Sequence, residues 1–233
     1  MSHELRSPLN AVLGFAQLLQ SGTPQPTPRQ EGLGEILKAG WYLLGLIDET
    51  LDLSMIESGR FSCVLGPVPL DEVLEACRAL VQAQAAERGI RISLPQMSDN
   101  YVIVVDRTRI MQVVINILSN AIKYNRDGGT VQLHCEASGQ GRICVRIEDS
   151  GCGLSSEQLG HIFQPFDRLG QEDGLIEGNG IGLALSKRLV ELMGGRIVVH
   201  SVVSEGGVFW VELNTLRVPA PESANGLASD VSL

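Results

Sequence analysis

The stretch Ser2-His3-Glu4-Leu5-Arg6-Ser7-Pro8-Leu9 begins the first patterned segment of the chain. Apolar residues recur along this segment at helical spacing, and at about 100° per residue they form one stripe on a helix. The stripe consists of Leu5, Leu9, Val12, Ala16 and Leu19. His3 lies roughly 160° from Leu5 on the helical wheel. The sequence therefore predicts a helix, assigned to residues 4–20, with His3 facing solvent on the same side as Ser7.

Glu4 follows His3 directly, and its carboxylate can reach a proton on the neighbouring ring. Such a partner fixes the tautomer and leaves the other ring nitrogen free as a nucleophile. An isolated His-Glu pair on a helix is more often only a pair of surface residues. The pair alone therefore leaves both interpretations open.

A second helix follows the Pro-rich break at residues 21–28. Its apolar and small residues alternate four and three apart, which is a heptad seam, and Trp41, Leu43 and Leu46 widen the apolar face. The seam consists of Leu33, Leu37, Gly40, Leu44, Ile47, Leu51 and Ser54. Two helices cannot enclose that surface, so we predict a homodimer in which two hairpins form a four-helix bundle. Packing of one hairpin on the second domain of its own chain is the alternative.

The rest of the chain mixes predicted strands with helices, so the fold class is α+β: a helical hairpin followed by an α/β sandwich, a mixed sheet covered on one face by helices. We expect a linker with a short strand over 61–65, and Asp71 as N-cap of a helix to about Arg88. Further helices are predicted over 107–124 and 181–193. Predicted strands are 90–94, 101–105, 130–136, 142–148, 196–200 and 208–213. The predicted division is 1–60 hairpin, 61–69 linker, 70–215 second domain and 216–233 disordered tail.

Composition limits the classes of binding partner and the cellular compartment that we expect. The 233 residues carry a net charge of −9 with a pI near 4.9, which argues against nucleic acid as a partner. No apolar run reaches membrane-spanning length, so we expect no membrane contact within this fragment. The five cysteines show no CxxC pair, which favours reduced thiols in the cytoplasm. A nucleophile two residues from a terminus would fray, so we expect a larger parent protein, membrane-anchored or not.

Polar residues on the predicted helix over 107–124 are the first candidate binding site. Asn116, Asn120 and Lys123 share one flank at four- and three-residue steps, beside a predicted buried stripe. Amide oxygens suit Mg²⁺, and a lysine binds phosphate as a point charge. A polar flank of this kind is usually a solvated face, so it does not define a site by itself. The stripe consists of Ile110, Val113, Ile117 and Ala121.

Two glycine-containing segments are the next candidates. In Asp149-Ser150-Gly151-Cys152-Gly153, the carboxylate can accept from the exocyclic amine of adenine, and Gly151 and Gly153 let the backbone approach the ring. The tripeptide Asp149-Ser150-Gly151 is also common in turns. Gly178-Asn179-Gly180-Ile181-Gly182-Leu183 opens a predicted helix whose N-terminus suits phosphate oxygens. The weakly patterned residues 169–177 before it are typical of a mobile lid.

Together these motifs resemble a known family. The run from His3 to Asn10 is similar to the phosphoacceptor box of sensor histidine kinases. Residues 116–125, 149–153, 163–166 and 178–183 resemble, in order and spacing, the N, G1, F and G2 boxes of their ATP-binding domain, of the GHKL type. The resemblance spans residues 1 to about 213 and implies ATP and Mg²⁺ as ligands.

The resemblance also implies a role for each matching residue. His3 would accept the phosphoryl group, Glu4 would act as base, and Ser7 stands where the family orients water for phosphatase action. Asn120 would bind Mg²⁺, Lys123 and Tyr124 would contact the nucleotide, and Asp149 would read adenine. Arg168 would reach the γ-phosphate from the lid, and Gly180 and Gly182 would form the phosphate loop. The full set of nucleotide-site candidates is Asn116, Asn120, Lys123, Tyr124, Asp149, Gly151, Gly153, Arg168, Gly178, Asn179, Gly180, Ile181, Gly182 and Leu183.

Three functions remain open on the sequence. ATP-dependent autophosphorylation of His3, followed by transfer to an aspartate on the receiver domain of a response regulator, is the function we predict. Hydrolytic relatives carry Glu where this chain has Asn116, so a mechanochemical ATPase ranks lower because the base for water is missing. A nucleotide-binding scaffold or pseudokinase, acting through protein interaction, is the remaining alternative.

Overall fold

The computed structural model of the protein describes residues 2–20, 29–95, 101–139, 141–167 and 180–217. Its first part is a helical hairpin of α1 (Ser2–Gln20) and α2 (Arg29–Glu57), which pack against each other. The predicted first helix is thus confirmed and begins two residues earlier. The predicted tail and lid, at 216–233 and 169–177, lie almost wholly outside the described residues.

The predicted heptad seam of α2 is not covered by α1. Large side chains along it remain exposed in the single chain: Leu33, Leu37, Leu44, Ile47 and Leu51, together with the flanking Trp41. Leu46 and Leu53, by contrast, are buried. The hairpin therefore buries one side of α2 within its own chain and leaves the seam as an apolar outer surface.

The second part of the chain is a mixed seven-stranded sheet with helices packed on it. Its strands are β1 (Gly66–Pro69), β2 (Arg91–Ser93), β3 (Tyr101–Val105), β4 (Thr130–Ala137), β5 (Arg142–Asp149), β6 (Arg196–Val202) and β7 (Gly206–Arg217). The order is β1-β3-β7-β5-β4-β2, with β6 also paired to β7. β2 and β4 are parallel, and the remaining pairs are antiparallel.

Strand β7 organises this sheet because it is long enough to serve three neighbours. It pairs with β5 from Gly207 to Asn214. On its other edge it pairs first with β6, up to Glu212, and then with β3 from Thr215 onward. The carboxyl end of β5 is thereby fixed beside the turn that joins β6 to β7, which matters for the site described below.

Four helices accompany the sheet: α3 (Leu70–Glu87), α4 (Arg107–Lys123), α5 (Ser156–His161) and α6 (Gly182–Leu192). The predicted inward residues of β5 are confirmed, because Ile143, Val145 and Ile147 are all buried. The predicted stripe of α4 is buried as well. Each such aliphatic side chain contributes about 1.5–3 kcal/mol through removal from water, so the interlocked stripe and sheet hold α4 in a fixed place.

Two local predictions were wrong at the junction of hairpin and sheet. The strand lies at Gly66–Pro69 rather than 61–65, because its partner β3 ends at Val105 and Asp106 then caps α4. Within the 61–65 segment, the backbone N–H of Val64 donates to the Asp106 side chain, 3.1 Å away, and not to a neighbouring strand. Asp71 is not the N-cap of α3: Pro69 is, and Asp71 lies in the first helical turn.

Candidate functional site

A cavity of about 320 Å³ opens where α4, the end of β5, α5, the start of α6 and the β6–β7 turn meet. Residues from the predicted N, G1 and G2 boxes of the second domain line this cavity. The predicted candidates on its wall are Asn116, Asn120, Lys123, Tyr124, Asp149, Gly153, Gly180, Gly182 and Leu183. Segments far apart in the sequence therefore converge on one site.

Other predicted residues lie beside the cavity or outside the described part. Ile181 is buried as the N-cap residue of α6, and Gly151 contacts Asp149 from the neighbouring turn. Arg168, Gly178 and Asn179 lie outside the described residues. His3, Glu4 and Ser7 lie on α1, with side chains outside the described set. Their predicted roles stay predictions.

Helix α4 carries the polar flank into the cavity. Asp106 fixes the start of the helix by accepting the N–H groups of Thr108 and Arg109, at 3.0 and 3.2 Å. The Asn116 Nδ2 group donates to the Ser186 hydroxyl on α6, 2.9 Å away. This hydrogen bond orients the Asn116 amide and ties α4 to the helix that follows the predicted phosphate loop.

Glycine at position 182 is required by this contact between the two helices. A Cβ atom there would lie 2.5 Å from Asn116 Oδ1 and 2.9 Å from Asn116 Cγ. Such distances are shorter than van der Waals contact, so any larger residue would push Asn116 away. The close approach brings the N-terminal end of α6 directly beside the amide flank of α4.

Asp149 occupies the end of β5 at the floor of the cavity. Its Oδ1 atom accepts the N–H of Gly151 at 2.8 Å, and Gly207 also donates a backbone hydrogen bond to the carboxylate. Burial raises the pKa of Asp149 above its ordinary value of 3.8, the two backbone hydrogen bonds lower it, and Glu148 raises it further. The net result is a raised pKa on a carboxylate held in one orientation.

Ser201 and Gly207 line the cavity but were not predicted. The buried Ser201 hydroxyl donates to the Gly206 carbonyl at 2.6 Å and accepts from the Leu154 N–H at 2.9 Å. It thereby joins the β6–β7 turn to the segment after Asp149. The Gly-Gly pair directly before a predicted strand was the available signal for this turn, whereas Ser201 gives no local signal.

The segment over 163–166, predicted as part of the site, lies against Gly180. The Phe166 N–H donates to the Gly180 carbonyl at 2.9 Å, and Phe166 has a φ of 66°, which is uncommon for a residue other than glycine. The Lys187 ammonium lies 5.2 Å from the ring centre of Phe163. These contacts hold the 163–166 segment against the start of α6.

The donors present fit a hydrated magnesium ion better than a metal held by protein alone. Among residues of the described ranges, no three His, Cys, Asp or Glu side chains converge. The cavity instead offers the amides of Asn116 and Asn120, beside the predicted phosphate loop. Mg²⁺ commonly takes few protein ligands and completes its shell with water and substrate phosphate, so this donor set fits it.

Comparison with known proteins agrees with this arrangement. Residues 105–217 match the family described as histidine kinase-, DNA gyrase B-, and HSP90-like ATPase, and residues 1–59 match the His Kinase A phosphoacceptor domain. The sensor histidine kinase GacS of Pseudomonas protegens is 40% identical over 92% of this chain, which covers 24% of GacS. The chain spans less than half of the length of the curated relatives it matches.

Solved structures give the same result. ShkA, determined in complex with AMPPNP, is 30% identical with a TM-score of 0.72 over 94% of this chain and 46% of ShkA. The histidine kinase ThkA, in complex with the response regulator protein TrrA, has a TM-score of 0.69 over 92% of this chain and 60% of that chain, at 21% identity. The latter likeness concerns the fold alone.

The fold and the family matches together define a hairpin of the phosphoacceptor type joined to an ATPase-type domain. The residues of α4, β5 and α6 that meet in the cavity belong to that second domain. The chain belongs to the sensor histidine kinases and contains their catalytic core, which confirms the resemblance. In the part that the structure describes, no helix is both long and apolar enough to cross a membrane.

Proposed function

We propose that this chain phosphorylates His3 with ATP and then passes the phosphoryl group to an aspartate of a response regulator. One observation carries the proposal: Asn120, Lys123, Asp149 and the loop beginning at Gly180 line a single cavity in a chain that starts with a phosphoacceptor helix. The hairpin, 1–60, supplies the acceptor, and the domain at 70–215 supplies the donor.

Recognition of the base would begin at Asp149. A carboxylate only accepts hydrogen bonds when ionised, so it would pair with the exocyclic amine of adenine and would repel the carbonyl oxygen of guanine. The Gly151 N–H already donates to Oδ1 at 2.8 Å, so the carboxylate orientation costs little on binding. Lys123, Tyr124 and, from the proposed lid, Arg168 would contact the nucleotide, with Gly178 to Leu183 around the phosphates.

Asn120 would bind Mg²⁺, as the resemblance implies, with Asn116 beside it. In the described part of the structure the Asn120 side chain has no hydrogen-bond partner, so its oxygen is available. The chemistry that such an ion would supply there is positive charge beside the phosphates. Ser186 would keep Asn116 oriented through its 2.9 Å hydrogen bond.

Transfer itself would take place at the imidazole of His3. An uncharged ring nitrogen would attack the γ-phosphorus in line, forming a phosphorus–nitrogen bond as the bond to the ADP oxygen breaks. The proton on the other ring nitrogen would pass toward the Glu4 carboxylate. The domains would rotate about residues 59–69, of which 60–65 belong to no helix or strand.

The residue at position 116 favours transfer over hydrolysis. Hydrolytic relatives use a carboxylate there to activate water, whereas the amide of Asn116 does not ionise and already donates to Ser186. Water is a poor nucleophile without a base. An imidazole brought to the same phosphate would therefore react first.

The proposed partners are a second copy of this chain and a receiver domain carrying an aspartate. The apolar seam on α2 supports the homodimer, and the ThkA complex with TrrA supports the receiver. We propose a cytoplasmic site of action, which accords with the cysteines being free thiols.

The test is phosphorylation with ATP labelled at the γ-phosphate. We expect label on the protein that is lost in acid and stable in base, as a phosphohistidine is. His3→Gln should abolish the labelling, while His200→Gln, a change at an exposed histidine on β6, should leave it intact. Acid-stable label, or label that survives His3→Gln, would contradict the proposal.

The same assay separates the alternatives. Phosphate release that continues unchanged in His3→Gln would identify an ATPase. An unsubstituted chain that neither becomes labelled nor releases phosphate, whether or not it binds ATP, would be identified as a scaffold or pseudokinase.

A further inference from the structure

Arg88 makes an unusual set of contacts directly after α3. Its guanidinium donates to three backbone carbonyls: Ile122 at 2.7 Å, Lys123 at 2.7 Å and Asn125 at 2.8 Å. A fourth interaction joins it to the Asp127 carboxylate at 2.9–3.0 Å. All these acceptors belong to the last turn of α4 or to the loop that follows it.

The last carbonyls of a helix lack partners within the helix and carry the negative end of its dipole. A cation that donates to them satisfies both needs. The planar guanidinium presents several donors in a fixed fork, so it can bind all three carbonyls and the carboxylate at once. A lysine ammonium could reach only part of this set.

The same loop is also anchored to the residues that directly follow Asp149. Asn125 is buried, and its Oδ1 atom accepts from the Ser150 hydroxyl at 3.1 Å. The Tyr124 carbonyl accepts the Cys152 N–H at 3.3 Å. Residues 122–127 are thus clamped by two sets of hydrogen bonds, one to Arg88 and one to residues 150–152.

The clamped segment includes two walls of the cavity, because Lys123 and Tyr124 line it together with Asp149. We propose that Arg88 is a positioning residue for nucleotide binding: it fixes the end of α4 so that Lys123 and Tyr124 hold their distance from Asp149. This inference rests on the proposed function of the cavity. Arg88 itself is not among the residues on the cavity wall.

The structure offers a matched control on the same helix. Among the described residues, Arg78 pairs only with Glu75, three residues earlier on α3, and both side chains are exposed. Its removal deletes an arginine and an ion pair from α3 but none of the hydrogen bonds that Arg88 makes to α4. An exposed pair of this kind contributes little to stability, so Arg78→Met reports the nonspecific effect of losing an arginine.

The experiment measures ATP affinity and phosphorylation rate in the full chain carrying Arg88→Met, Arg88→Lys or Arg78→Met. We expect Arg88→Met to weaken ATP binding about tenfold, since losing oriented hydrogen bonds to a charged group has that scale. Arg88→Lys should fall between Arg88→Met and the unsubstituted protein, and Arg78→Met should stay within about twofold. Because Arg88 does not line the cavity, saturating ATP should restore most of the rate.

A purely structural role would give a different pattern. If Arg88→Met lowers the melting temperature yet the folded protein binds ATP as the unsubstituted chain does, the inference is wrong while the proposed function stands. If Arg88→Met does not fold, Arg88→Lys decides by the same comparison of affinity. If the unsubstituted protein binds no ATP, both the inference and the proposed function fail.

Discussion

The carboxylate of Asp149 should make ATP binding in the cavity depend on pH. Burial raises its pKa above 3.8, and backbone N–H groups from Gly151 and Gly207 hold it in place. Only the ionised form accepts on both oxygens, so only it can accept from the adenine amine and from these backbone N–H groups together. We therefore expect ATP affinity to fall as the pH is lowered toward the raised pKa. Binding titrations across a pH series measure this.

The control for that titration is Asp149→Asn, which has no proton to gain. It should bind ATP weakly and lose the pH slope that the carboxylate causes, while keeping any slope due to the phosphates. The contribution of Asp149 to the unfolding free energy should depend on pH in the opposite sense to ATP affinity. A raised folded-state pKa favours the protonated form, so the contribution of Asp149 to the unfolding free energy is full at low pH and is lost as the pH rises through the folded pKa. If ATP affinity changes with pH equally in both proteins, the assignment of Asp149 as the group that binds adenine is wrong.

Prediction of single residues from the sequence worked where the signal is local. Asn116, Asn120 and Lys123 share a helix face, and Asp149 stands at the end of a strand, so spacing made them candidates, whereas their assignment to a nucleotide site came from the resemblance. Ser201 and Arg88 gave no such signal. Their partners, Leu154 in one case and Ile122 to Asn125 in the other, are brought to them only by the pairing of strands and the packing of helices.

At the scale of elements, the site depends on how closely α6 approaches α4. We expect Gly182→Ala to weaken ATP binding about tenfold, because its Cβ would collide with Asn116 and break the hydrogen bond to Ser186. The unfolding free energy should fall by about 1–3 kcal/mol, as for overpacking. Titration with ATP and chemical denaturation measure the two effects.

The matched control is Gly160→Ala on α5, where an added Cβ meets nothing within 4 Å. Alanine favours a helix by up to about 1 kcal/mol over glycine, so this protein should be as stable as the original and should bind ATP normally. Equal loss of affinity in both variants would show that the close approach at position 182 is unimportant.

Elements with periodic patterns were predictable, and short ones were not. The long helix α4 was found almost to the residue, since four buried positions at helical spacing define it. The strand Gly66–Pro69 was misplaced because its position depends on where its partner ends. Helix α5 has only 6 residues and was missed. Its capping box, Ser155 with Gln158, was the signal available in the sequence.

At the scale of the whole molecule, the hairpin and the ATP-binding domain are in contact in this structure. Leu53 of α2 is buried in the core cluster of the second domain. Arg109 on α4 donates to Asp52 of α2 at 2.7 Å, and its guanidinium lies 4.7 Å from the ring centre of Phe61. The rotation proposed for phosphoryl transfer would have to break these contacts, so they set part of its barrier.

The outer face of α2 determines the predicted assembly. Leu37 is 61% exposed although it belongs to the heptad seam, and the neighbouring Trp41 is 70% exposed. An apolar stripe of this length normally marks an interface, and a second hairpin would complete a four-helix bundle. We expect Leu37→Glu to dissociate the dimer, because two copies would place uncompensated carboxylates in the buried seam. Light scattering and sedimentation measure the mass directly.

The control for this change is Leu80→Glu on α3, where the leucine is 65% exposed, almost as much as Leu37. Both substitutions replace an exposed leucine with a carboxylate, so they alter charge and surface hydrophobicity alike. Only the change at position 37 lies on the seam. If the mass is dimeric for Leu80→Glu and monomeric for Leu37→Glu, the seam forms the dimer. If the unsubstituted chain is monomeric in the same measurement, or if both variants remain dimeric, the four-helix bundle proposed for α2 is wrong.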